Sequence, residues 1–232
     1  MTLVTLDKIS KEYKMGETTI SALKEVTMDI EPGTFVSIVG PSGSGKSTIL
    51  NMIGCLDIPT SGSIKFDNNE IGDLNKKQRA EFRGDNLGFV FQNFNLIPVL
   101  TVFENVEYPL LMVKDESGQE TSDLILEMLD AVGVAEQKDK YPHQISGGQM
   151  QRVAVARAMI TQPKLVIADE PTANLDHDTA YKIINLMKSM KNLKNTTFIF
   201  STHDPKVIDE AEIIFVLEDG KITNKTDKRN HA

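Results

Sequence analysis

TFVSIVGPSGSGKST occupies residues 34–48. Its first half, Phe35 to Val39, is an apolar, β-rich run that stops at a glycine, which predicts a buried strand. From Gly40 the chain matches G-x-x-x-x-G-K-[ST] through Pro41, Ser42, Gly43, Ser44, Gly45, Lys46 and Ser47, with Thr48 following. Small residues there let successive backbone N–H groups turn inward around phosphate oxygens. The helix predicted over KSTILNMIGCL adds donors and a partial positive charge at its N-terminus. Lys46 is then placed to reach β- and γ-phosphates, and the Ser47 hydroxyl to ligate Mg2+. A glycine-rich turn without a ligand would need neither flank. Strand, loop and helix together predict a nucleotide site.

Working outward, KLVIAD (164–169) and TTFIFST (196–202) are similar runs, apolar throughout. Strands of that kind belong to a parallel sheet covered by helices on both faces, an α/β fold. Its ligands sit at the carboxyl ends of the strands. Asp169 ends one such run and suits Mg2+, through water. Glu170, one residue further on, can orient or deprotonate an attacking water. Without the phosphate loop, the two acids would read as a solvated turn before Pro171. His203 ends the next run, in IFSTHD, where an imidazole can hydrogen-bond a γ-phosphate or the attacking water. Nothing promotes His143, His177 or His231, which fall in loops or the tail.

The first 30 residues alternate with turn signals and predict antiparallel strands. Between about 93 and 160 the pattern changes to helices without strands: TVFENVEYPLLM, SDLILEMLDAVGV and GGQMQRVAVARAMI. DTAYKIINLMKSMKNL places Ile183, Ile184, Met187 and Met190 near one helical face. IIFVLEDGKIT predicts a hairpin turning at Asp219-Gly220. The expected organisation is one domain: an α/β core with an antiparallel β part (1–92 and 161–224), a helical subdomain (93–160) and a frayed polar tail (225–232).

Composition narrows the classes. The 232 residues suffice for one α/β domain with an attached lobe. A net charge of −8 argues against nucleic acid as the main partner, because phosphate backbones need basic patches. The single cysteine, Cys55, excludes an intrachain disulfide and suits a reducing compartment; within TILNMIGCL it reads as a buried helix residue. Asp7 interrupts the N-terminus before any signal-like run, and no stretch reaches the ~20 apolar residues of a membrane helix.

ISGGQMQR (145–152) places two glycines where one capping serine would open a helix. Ser146, Gly147, Gly148 and Gln149 form a second candidate anion-binding surface. These residues resemble the L-S-G-G-Q signature of the ATP-binding-cassette (ABC) ATPases, and nearly the whole chain follows that family's motif order. The resemblance implies that this loop closes on the γ-phosphate of ATP held by a second copy in a head-to-tail dimer. It implies that Tyr13 stacks on adenine and that Gln92, in VFQNFNLIP, senses Mg2+ and the attacking water. TANLD (172–176) resembles the loop that crosses the dimer interface, with Asp176 its acid, and His203 resembles the switch histidine. Ile145 departs from the usual leucine but keeps its size and apolarity. Lys46, Glu170 and His203 are all in place, so an active ATPase is expected.

GCLDIPTSG and FQNFNLIPVLTVFENVEYPLL resemble the lipoprotein-release and macrolide-export subgroup (LolD- and MacB-like). That subgroup implies ATP with Mg2+, a separate integral membrane permease subunit, and a station on the cytoplasmic face of the membrane. Phe94, Leu96, Ile97 and Leu100 are candidates to line the groove where the permease docks, or else belong to the core of the lobe. Two rivals stand beside this reading. NKTD (224–227) matches a guanine-reading pattern, which would suit a GTPase switch, but it falls in the polar tail. A soluble ABC protein of DNA or ribosome function would carry coiled coils, zinc modules or tandem cassettes. NTT (195–197) matches a glycosylation acceptor that a cytosolic chain would not use.

Overall fold

The computed structural model describes residues 1–16, 18–114 and 117–229. In chain order it runs β1 (Val4–Met15), β2 (Thr18–Ile30), β3 (Phe35–Val39), α1 (Lys46–Ile53), β4 (Ser61–Phe66), β5 (Asn69–Glu70), α2 (Lys76–Asn86) and β6 (Leu87–Phe91). There follow α3 (Val102–Pro109), α4 (Gln119–Ala131), α5 (Gly147–Met159), β7 (Leu165–Asp169) and α6 (His177–Lys194). The chain closes with β8 (Thr197–Ser201), α7 (Pro205–Asp209), β9 (Ile213–Glu218) and β10 (Lys221–Asp227). One sheet is antiparallel, ordered β2-β1-β4-β5; the other is ordered β10-β9-β3-β8-β7-β6. In the larger sheet β9, β3, β8, β7 and β6 run parallel, and β10 is an antiparallel edge.

The apolar strands explain how the layers stack. Side chains alternate along a strand, so both faces of the larger sheet are apolar and both need cover. Leu165, Ile167 and Ile199 face the cluster built with α1 and the antiparallel sheet. Val166, Ala168, Phe198 and Phe200 face the helices of the other side. Val102, Ile125, Leu129 and Val153 from the helical segment join that second cluster, so the segment shares its core with the sheet. Burying each such side chain contributes about 2 kcal/mol. No strand occurs among the described residues between 93 and 160, and Ile183, Ile184, Met187 and Met190 line the buried side of α6.

Three expectations need correction. Helix α1 ends at Ile53, so Cys55 lies beyond it, at φ 52°, still buried, and desolvation pushes its thiol up to about 11. The expected frayed tail instead continues β10 to Asp227, and Arg229 beyond it donates to Glu31 (2.7 Å) and Asp227 (2.6 Å). His231 lies outside the described residues. NKTD therefore sits on an antiparallel edge strand, where no buried parallel strand delivers it to a nucleotide. Helix α2 went unforeseen because it buries no residue fully and so shows no apolar stripe; an Asn75–Gln78 capping box starts it. The hairpin turns where expected, with Asp219 at φ 46° and Gly220 at φ 77°.

Candidate functional site

Strands β3, β8 and β7 are neighbours in the sheet, and the candidate residues leave their carboxyl ends. After β3 comes the phosphate loop. Gly40 is required by packing, since a Cβ there would lie 2.0 Å from the Leu217 carbonyl. Gly43 has open space around it but φ 79°, a conformation that favours glycine. The first turn of α1 carries no acid, which suits an anion at its N-terminus. Lys46 Nζ donates to the carbonyls of Gly40 (2.8 Å) and Pro41 (3.0 Å), so its stem spans the loop. The Ser44 hydroxyl is buried without a hydrogen-bond partner among the described residues, as a group awaiting a polar ligand would be.

After β7 come the acids. Asp169 pairs with Ser201 across β7 and β8, and Ser201 Oγ donates to Asp169 Oδ1 at 2.6 Å. The same oxygen accepts from the Glu170 N–H at 2.9 Å. Glu170 adopts φ 47°, and its Oε1 lies 3.1 Å from Nδ1 of the exposed His203. Behind the turn, fully buried Gln151 of α5 donates to the Pro171 carbonyl at 2.6 Å. Neither Ser201 nor Gln151 was singled out from sequence. The available signal for Ser201 was a polar residue closing a strand after the apolar run Phe198, Ile199 and Phe200.

Tyr13 stands on the antiparallel sheet. Its hydroxyl donates to Asp57 Oδ2 (2.8 Å), and Lys11 Nζ lies 4.9 Å above its ring. Burial and the Asp57 carboxylate push the phenol up. Lys11 also donates to Asp57 Oδ1 (2.7 Å), so a lysine and an aspartate unremarked in the sequence orient this ring.

Ser146 to Gln149 and Asp176 line a separate open pocket of about 420 Å3 with Arg152, Thr179 and Lys182. Ser146 and Gln149 form a capping box for α5. Asp176 caps α6, and hydrogen bonds from Thr179 hold its carboxyl below the usual range. Gln92 is exposed, and its carbonyl accepts from Asn174 (3.0 Å), which links the 172–176 loop to the Gln92 loop. Arg157 of α5 donates to the carbonyls of Phe94 and Asn95. A groove of about 380 Å3 opens between α2, β6 and the π-helical turn Leu110–Lys114, walled by Gly84, Phe89, Phe91, Asn95, Val113 and Arg157. Phe94, Leu96, Ile97 and Leu100 do not line it; all four are half-buried, and Leu96 packs on the core, so the groove is walled by the residues around them.

The donors suit Mg2+: a serine hydroxyl at Ser47 and a carboxylate at Asp169 are hard oxygen ligands. No cluster of three or more His, Cys, Asp or Glu arranged for a metal occurs among the described residues. No helix among them is long and apolar enough to cross a membrane.

The family model described as ABC transporter matches residues 23–173, and an AAA-domain model matches residues 140–209. The chain is 47% identical over 223 residues to the ABC transporter ATP-binding protein MJ0796 of Methanocaldococcus jannaschii, covering 95% of each. A dimeric MJ0796 structure described as post-hydrolysis, bound to ADP and Pi, superposes with a TM-score of 0.90 at 44% identity, covering 98% of this chain and 99% of that one. The lipoprotein-releasing system ATP-binding protein LolD of Pseudoalteromonas translucida is 42% identical, with 96% of each chain covered. The macrolide export ATP-binding/permease protein MacB of Syntrophobacter fumaroxidans is 43% identical over 96% of this chain, which spans 31% of that longer protein. The strand-end arrangement and these likenesses agree: the chain belongs to the ABC transporter family, as an ATP-binding and ATP-hydrolysing cassette of its LolD- and MacB-like subgroup.

Proposed function

We propose that this cassette binds MgATP between two copies of itself and drives a membrane permease, from the cytoplasmic face, in export or extraction of lipoproteins, macrolides or peptides. The observation that carries the reading is that three adjacent parallel strands end in the phosphate loop, the Asp169-Glu170 pair and His203. Gly40 to Thr48 cradle the triphosphate, Lys46 neutralises its β- and γ-phosphates, and Tyr13 stacks on adenine. Ser47, Asp169 and Gln92 hold the ion, which when bound offsets negative charge on the phosphates. Glu170 orients and accepts a proton from the attacking water, and His203 supports Glu170 and the γ-phosphate. Ser146 to Gln149 and Asp176 complete the site of the opposite copy. The likeness to an ATP-binding/permease protein supports a membrane partner, and the groove around Phe89, Phe91 and Val113 suits its docking.

The test is Glu170→Gln. Removing the base while keeping the shape should lower turnover by about 100-fold or more and retain ATP. The ATP-loaded variant should run as a dimer in size-exclusion chromatography with light scattering. A variant that stays monomeric in MgATP and hydrolyses at the parental rate would refute the assignment.

A further inference from the structure

We propose that Ser201 is a positioning residue: its single hydroxyl selects the oxygen that Asp169 offers to the metal ion and holds Glu170 in place beside it. The inference rests on the roles assigned above to Asp169 and Glu170.

Ser201 is fully buried at the end of β8, after Thr197, Phe198, Ile199 and Phe200. A β-branched apolar residue would suit that strand position better. A buried hydroxyl is tolerated only when its hydrogen-bonding capacity is met, and here it is met twice by the acidic turn. The Glu170 N–H occupies a lone pair of Oγ at 2.9 Å, which marks the hydroxyl as acceptor on that side. Its own hydrogen goes to Asp169 Oδ1, at 2.6 Å, the length of a charge-assisted bond to an ionised carboxylate.

Two consequences follow. With Oδ1 engaged, Oδ2 is the Asp169 oxygen free of the hydroxyl, so the carboxylate is offered to an ion through one oxygen in a fixed orientation. Magnesium binding of this kind relies on one or two such oxygens, with water and phosphate completing the shell. Glu170, meanwhile, sits at φ 47°, a conformation disfavoured for a residue with a side chain and kept where neighbours over-determine it. The bond from its N–H to Ser201 is one such constraint, and it sets the direction in which the carboxylate leaves the strand.

The experiment compares Ser201→Ala, Ser201→Val and Ser201→Thr with the parent. Thermal midpoints check folding, and Mn2+ affinity in the ADP complex is read by electron paramagnetic resonance. Turnover and KM for ATP are measured at saturating Mg2+. Partners that orient a metal ligand typically cost tenfold or more when removed, so alanine and valine should each weaken Mn2+ binding and lower kcat by about tenfold. Metal-free ADP affinity should stay parental, and threonine, which restores the hydroxyl, should recover both quantities. Parental Mn2+ affinity and kcat in Ser201→Ala, or a threonine variant as impaired as alanine, would overturn the proposal. Asp169→Asn serves as the control: if it leaves Mn2+ affinity untouched, the reading of Asp169 itself fails, whatever the serine variants show.

Discussion

A Cβ on Gly148 would lie 2.6 Å from Cγ2 of Thr179, so the N-terminus of α5 meets the first turn of α6 at a contact where any side chain would force Thr179 to shift. Gly147 has no such constraint, since a Cβ there would find Leu175 at 3.6 Å and Phe94 at 3.8 Å, ordinary contact. Ser146 and Gln149 cap the helix without help from either. The two adjacent glycines thus differ: Gly148 sits close against Thr179 of α6, whereas a side chain at Gly147 would meet only ordinary contacts.

Gly148→Ala should therefore be less stable than Gly147→Ala by about 1 kcal/mol, the low end of an overpacking cost because Thr179 can give way, visible as a lower thermal midpoint. Gly147→Ala should change stability by no more than about 0.5 kcal/mol. In a Glu170→Gln background it should nonetheless weaken the ATP-driven dimer in light scattering. Equal thermal midpoints for the two variants would contradict this division.

Gln151→Leu removes the donor from the Pro171 carbonyl inside the protein and leaves that oxygen unpaired. An unsatisfied buried acceptor costs about 1–3 kcal/mol, and since the substitution also removes the buried Gln151 Oε1, which has no partner among the described residues, denaturant unfolding should register a loss toward the lower end of that range. Because Pro171 follows Glu170 directly, kcat should fall by a larger factor than KM rises in steady-state assays.

Lys46→Ala should leave the thermal midpoint near parental, since its ammonium donates to the Gly40 and Pro41 carbonyls of its own partly exposed loop. Nucleotide affinity should drop by about tenfold or more, since a hydrogen bond to a charged group is worth about 1.5–3 kcal/mol. Fluorescent-nucleotide titration measures it.

The end of β10 carries a pH dependence. Hydrogen bonding to Arg229 holds the Asp227 carboxyl down to about 2 and lowers Glu31 as well. A carboxylate depressed on folding stabilises above its unfolded value, near 3.9, and that stabilisation is lost as pH falls through the folded value. Arg229→Ala should thus be less stable than the parent at pH 7 by a modest margin, because the pair is partly exposed. The two should converge as pH drops from about 4 to about 2, as urea unfolding at pH 7, 4 and 2 would display. A constant difference across that range would rule out the Asp227 pair as its source.

The phosphate loop, the apolar strands, the Asp219-Gly220 hairpin and the buried stripe of α6 were all legible along the chain. Each depends on residues close in sequence: a glycine spacing, an alternation, a helical period. Helix α2 was not, because burying no side chain fully it carries no stripe. The end of β10 was not, because its polar residues show no apolar alternation and its order comes from pairing with β9 out to Asp227, with Arg229 beyond it reaching Glu31.

Thus the order of residues alone pointed to a nucleotide site and placed Asp169 and Glu170 at the end of a strand, since backbone donors and carboxylates at set spacings are local chemistry. Which groups stand behind those acids was settled only when β8 came to lie between β3 and β7 and α5 came to pack behind the turn. Ser201 and Gln151 gain meaning from partners more than 15 residues away, and no local period encodes a hydrogen bond that exists only once distant strands and helices are packed.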